Sequence, residues 1–137
     1  MTPEALARWD ESLNAALRVA ETDLWKFIRT LRRFRAWAMR EGASDIAKSL
    51  LDVEQMYLMR VGAPIRVQRR VTKMMVRASP RSADALWSLA EVEVAAGRFD
   101  VARQLLRRIL RRRKLDRTVR AASKKLLIRI KREEAKR

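Results

Sequence analysis

Five cations in the segment PIRVQRRVTKMMVRA (64–78) are spaced for a chemical purpose: Arg66, Arg69, Arg70, Lys73 and Arg77 fall at i, i+3, i+4, i+7 and i+11. On a helix this spacing places them on one side, along a line that rises about 1.5 Å per residue. The segment contains no acid, whereas an ordinary surface helix alternates sign so that neighbouring turns support one another. A row of unbalanced guanidinium and ammonium groups suits the phosphates of a nucleic-acid backbone, and arginine adds planar, bidentate contacts. Val67, Val71, Met74, Met75 and Ala78 form the opposite, apolar face, which is expected to pack on a core.

Two other segments carry the same chemistry. Residues 107–137 hold 15 of the 33 Lys and Arg residues against three acids, Asp116, Glu133 and Glu134. The run RRILRRRK (107–114) supplies Arg107, Arg111 and Arg112, and it leads into a helix opened by Asp116. There Val119, Ala122, Leu126 and Ile130 make an apolar stripe, with Arg117, Arg120, Lys124 and Lys125 outside it. In LWKFIRTLRRFRAWAMRE (24–41), Leu24, Phe27, Ile28, Leu31, Phe34 and Ala38 make the core face, while Lys26, Arg29, Arg33 and Arg40 point away. Trp25 and Trp37 border that basic strip. They either stack on unpaired bases beside Arg29 and Arg33, or pack against a neighbouring helix with the indole N–H at the rim. Trp9 and Trp87 lie among apolar neighbours and are expected in the core.

Composition narrows the remaining chemistry. The 137 residues, 48% of them hydrophobic, suffice for one domain with a modest core. With no His and no Cys, the chain lacks imidazole catalysis, thiol chemistry, disulfides and the usual zinc ligands. The carboxylate pairs Asp10/Glu11, Asp52/Glu54 and Glu91/Glu93 are one or two residues apart and do not face each other on a helix. No Gly-rich phosphate loop is present, so the expectation is a non-enzyme that takes no metal and no cofactor. A formal net charge of +17 draws polyanions: nucleic acid, an acidic protein or an anionic membrane. No stretch approaches 18 apolar residues and the N-terminus lacks a signal-peptide apolar region. No membrane span and a cytoplasmic location are therefore expected.

The elements that position these groups are all helical, because no stretch alternates with period two for long enough to form a strand. Three Gly and three Pro punctuate the chain. Thr2-Pro3 opens a first helix over 3–21, and a second follows Thr22-Asp23. Ser44 or Asp45 caps a third, Pro64 starts a fourth, and Ser82, Asp100 and Asp116 cap the fifth, sixth and seventh. The reading is a single all-α domain of about seven helices in antiparallel hairpins: helix one, a three-helix unit over 23–78, and a second over 82–134. GASDIAKSLL (42–51) and GRFDVARQLL (97–106) share five of ten positions at a separation of 55 residues. In each copy Gly ends one helix, the Asp is expected to cap the next, and the small Ala47 or Ala102 lets the paired helices approach.

Residues 82–110 resemble a tetratricopeptide repeat at Leu86, Leu89-Ala90, Gly97, Phe99, Ala102, Leu106 and Ile109, with Pro80 where a preceding repeat would end. The resemblance implies a helical hairpin of a short solenoid. The sequence departs from the family at Glu93, where an aromatic is usual, and in the 55-residue spacing, so the family's peptide-binding groove is not carried over. In size, helicity and basicity the chain also resembles the small subunits of CRISPR effector complexes, which implies a place beside a guide–target path. Together these features lead to the expectation of a non-catalytic, nucleic-acid-binding subunit of a ribonucleoprotein, with RNA or single-stranded DNA favoured over duplex DNA and other protein subunits as partners. Behind it stand an interaction adaptor for an acidic protein and then a peripheral binder of anionic membranes.

Overall fold

Four of the helix starts follow from local side-chain chemistry. A computed structural model of the chain describes residues 2–18 and 23–137. Among them run α1 (Pro3–Arg18), α2 (Leu24–Arg40), α3 (Ser44–Arg60), α4 (Ile65–Ala78), α5 (Ala83–Ala95), α6 (Phe99–Leu110) and α7 (Arg117–Ala135), with no strand. The fold is all-α. Four starts are capped by the expected type of side chain, each accepting a hydrogen bond from an otherwise unpaired amide. Thr2 Oγ1 accepts from the Ala5 N–H at 3.1 Å, and Asp23 Oδ1 accepts from Lys26 at 2.9 Å. Ser82 Oγ accepts from Ala85 at 3.2 Å, and Asp116 Oδ1 from Thr118 at 2.7 Å. The expected end of the first helix at 19–21, and Thr22, lie outside the described residues.

The repeated phrase is a turn, but it works differently from the expectation. Gly42 and Gly97 have φ of +74° and +76°, a conformation that a Cβ would penalise. At the first turn the Gly42 N–H donates to Met39 O, and the Ala43 N–H donates to Ala38 O at 2.8 Å. At the second, Gly97 donates to Val94 O and Arg98 to Glu93 O, also at 2.8 Å. These paired bonds are the Schellman closure of a helix C-terminus. Ala43 and Arg98 are then the N-caps of α3 and α6, with no side-chain cap bond. The connection is too short for Asp45 or Asp100 to cap. Both fall inside the first turn of the next helix, where a negative charge complements the helix dipole, and Asp100 also accepts from Arg103 at 2.9 Å.

Residues Met1–Pro64 and Ile65–Arg137 make two units. In the first, α1 and α3 pack on α2 around Phe27, Leu31, Phe34 and Leu50, with Ala16 of α1 buried among them. In the second, α4 packs on α5, α5 on α6, and α7 on both α5 and α6. Its core gathers Leu86, Ala90, Phe99, Leu106, Ile109, Leu126 and Ile130. Sequence order grouped α4 with the preceding hairpin; by its packing it belongs with α5. The apolar stripes expected of α2 and α7 are the buried ones, although Leu24, Val119 and Ala122 at their margins are half-buried.

Candidate nucleic-acid interface

The charge is divided unevenly between the units. Residues 1–64 contain 10 Lys and Arg against 9 Asp and Glu, whereas residues 65–137 contain 23 against 7. Nearly all of the excess positive charge therefore belongs to the second unit, and a polyanion is attracted there first.

Within that unit α4 sets the geometry. Its buried residues are Gln68, Val71, Thr72 and Met75. The expected apolar face holds only in part, because Val67, Met74 and Ala78 are half-buried. The helix is turned by about 60° from the orientation its hydropathy suggested. Thr72 tolerates burial because its hydroxyl donates to Gln68 O at 2.9 Å, so no polar hydrogen is stranded. Arg66, Arg70 and Arg77 are exposed and Lys73 half-buried, on the side opposite the buried residues. With Arg69 they line an open groove of about 830 Å³. Arg98, from the α5–α6 turn, joins them, and Ile65, Met74 and Ala96 supply an apolar part of the lining.

Arg69 is held differently from its neighbours. Its Nε donates to Glu93 Oε1 at 2.6 Å, and its side chain is 28% exposed while that of Glu93 is 1% exposed. Glu93 Oε2 is buried with no hydrogen-bond partner among the described residues, so Arg69 supplies the countercharge that lets this carboxylate stay inside the unit. Position 93 thus serves an ion pair between α5 and α4. Nearby on α5, burial pushes the Glu91 carboxyl above its usual pKa, and Arg129 of α7 partly opposes the shift.

The other expected site residues are placed elsewhere. Arg107, Arg111, Arg117, Lys124 and Lys125 are exposed, and Arg112 and Arg120 half-buried. Arg120 Nη2 donates to Arg112 O at 3.4 Å. None of these residues lines the α4 groove. In the first unit Arg29 and Arg33 are exposed, and Arg29 lies 3.8 Å from Asp23. Trp37 packs against Phe34 and Trp9, with ring centroids 6.0 and 6.1 Å away, and Trp9 stacks on Phe34 at 5.3 Å. Its ring is therefore engaged by the aromatic cluster, whereas Trp25 is 37% exposed beside Lys26 and Arg29.

Sequence reasoning missed Arg98, whose part in the groove depends on the α5–α6 turn. It also missed Arg32 and Arg35, which bind the buried Glu54 of α3 through its two carboxylate oxygens, Arg32 at 3.0 Å. Among the described residues no cluster of three or more acids gathers to hold a metal ion, and no helix is long and apolar enough to cross a membrane. No protein-family model, curated protein or solved structure matches the chain.

Proposed function

We propose that this protein is a non-catalytic, nucleic-acid-binding helical subunit that holds the phosphate backbone of a single strand, RNA or DNA, in the α4 groove. The observation that carries the reading is the row Arg66, Arg70, Lys73 and Arg77, joined by Arg98 and set in the unit that holds most of the excess positive charge. From residue 66 to 77 the helix advances about 17 Å. Arg66, Arg70, Lys73, Arg77 and Arg98 offer one phosphate contact each, five in all. The apolar lining from Ile65, Met74 and Ala96 favours a single strand, whose unstacked bases have faces to cover, over a duplex whose bases are already stacked. A membrane helix would present a broad bulky apolar face; here Val71 is buried and Val67 and Met74 are half-buried. The resemblance to small CRISPR effector subunits is the ground for placing the protein within a ribonucleoprotein assembly.

Fluorescence anisotropy with labelled single-stranded RNA, single-stranded DNA and duplex DNA, titrated from about 50 to 200 mM salt, tests this reading. Five neutralised phosphates give a slope of log K against log salt of about −3.5 for a single strand. The variant Arg66→Glu/Arg70→Glu/Lys73→Glu is expected to flatten that slope by about 2 and to weaken binding, while Arg29→Glu/Arg33→Glu has the smaller effect. A shallow slope that the α4 variant leaves untouched removes nucleic acid as the partner and turns attention to an acidic protein or an anionic membrane. Arg69 is kept out of this variant, because a glutamate there would face the buried Glu93.

A further inference from the structure

A carboxylate lying against a phosphate-binding arginine is at first sight counterproductive, since it cancels part of the positive field that the groove offers. We propose that Glu93 is a positioning residue: it holds the Arg69 guanidinium in one orientation at the groove wall, so that Arg69 meets a phosphate of the bound strand as a fixed fork. This inference rests on the nucleic-acid reading above and identifies the one contact in that groove that depends on geometry as well as charge.

Three observations support it. The 2.6 Å bond uses Nε of Arg69 and leaves the terminal nitrogens, the pair that faces a phosphate in bidentate contact, outside that bond. Arg69 lines the groove although its partner is fully buried, so the pair runs from the core to the binding surface. Arg66, Arg70 and Arg77 are exposed long side chains that lose rotamer freedom when they engage a ligand, whereas an arginine already tethered at Nε loses less.

The sign of one substitution separates the two possible roles. If Glu93 only subtracts charge, Glu93→Met, which removes both the charge and the acceptor oxygen at similar side-chain length, tightens binding to any polyanion. If it positions Arg69, the same change weakens binding even as the net charge rises by one. With the 137-residue chain, a labelled oligouridylate and about 100 mM salt, Glu93→Met and Arg69→Lys are each expected to weaken binding by about tenfold, the size of one charge-assisted hydrogen-bonded contact. The double variant is expected to be no weaker than either single one, since Glu93 acts through the arginine fork. Circular dichroism and thermal unfolding establish that each variant is folded. Should Glu93→Met fail to fold, Arg69→Lys decides alone: it keeps the charge and removes the fork, so unchanged affinity overturns the proposal. Binding by Glu93→Met at or above the wild-type level also overturns it. If the Arg66→Glu/Arg70→Glu/Lys73→Glu variant is weakened in the same series, the nucleic-acid reading survives that failure. A wild-type chain with no salt-dependent binding removes both.

Discussion

Among the described residues each unit buries one glutamate and neutralises it with arginine from the preceding helix, yet the two arrangements differ. Glu54 of α3 is held at both oxygens by Arg32 and Arg35 of α2. Glu93 of α5 is held at one oxygen by Arg69 of α4, and that arginine also lines a groove. The surroundings differ in the same sense: the first unit is nearly charge-balanced, and the second carries 23 basic residues against 7 acids. A carboxylate with two partners is closed, and its surroundings gain a fixed helix pairing. A carboxylate with a single partner makes that partner indispensable and ties a surface cation to the core.

The comparison sets an order of effects. Arg69→Ala leaves a buried charge with no countercharge and is expected to cost about 3–5 kcal/mol, read as a large fall in thermal midpoint. Arg32→Ala and Arg35→Ala are each expected to cost about 1–2 kcal/mol, because the other arginine remains, while the double variant approaches the loss seen for Arg69→Ala. A double-mutant cycle measures that non-additivity, and equal single losses at positions 32, 35 and 69 would break the distinction between a closed and an open pair. At the turns, Gly42→Ala and Gly97→Ala each force a Cβ into the left-handed region and are expected to cost about 1–2 kcal/mol. The two losses are expected to be similar: nothing lies within 4 Å of a Cβ added at Gly42, and at Gly97 the added Cβ meets the exposed guanidinium end of Arg137, at 2.8 Å from Nη1, which can swing aside. Denaturant unfolding of both variants compares the two turns.

The smallest expected effect is the pH dependence from Glu91. Its pKa is raised in the folded chain, chiefly by burial, so protonation favours the fold. Its contribution to stability is expected to fall as pH rises from the ordinary carboxylate range through the raised value. Glu91→Gln is expected to remove that dependence and to unfold slightly later at neutral pH, which thermal midpoints across a pH series measure.

What could be read from the sequence was what is decided locally. The caps at Thr2, Asp23, Ser82 and Asp116 involve partners two or three residues away, and the stripes of α2 and α7 follow helical period. The buried face of α4 is not legible in its sequence, because Gln68 and Thr72 are polar types that burial normally excludes, and Thr72 satisfies itself along its own helix. The residue type of Asp45 and Asp100 suits a cap, but the Schellman bonds put the caps at Ala43 and Arg98, two residues earlier. The Arg69–Glu93 pair spans 24 residues and joins two helices. Spacing identified Arg69 as a member of a basic row, and only the packing of α4 on α5 distinguishes it from the rest.

The turn that carries Arg98 has a consequence for variation. At this junction the backbone does all the work: the Arg98 N–H closes α5 on Glu93 O, and its carbonyl accepts the first bond of α6 from Ala102. Ala43 performs the same two tasks with a methyl group. The fold is therefore indifferent to the side chain there. A cation can be added to or removed from the rim of the groove at residue 98 without disturbing either helix, so at this position the protein's surface and its architecture can change independently.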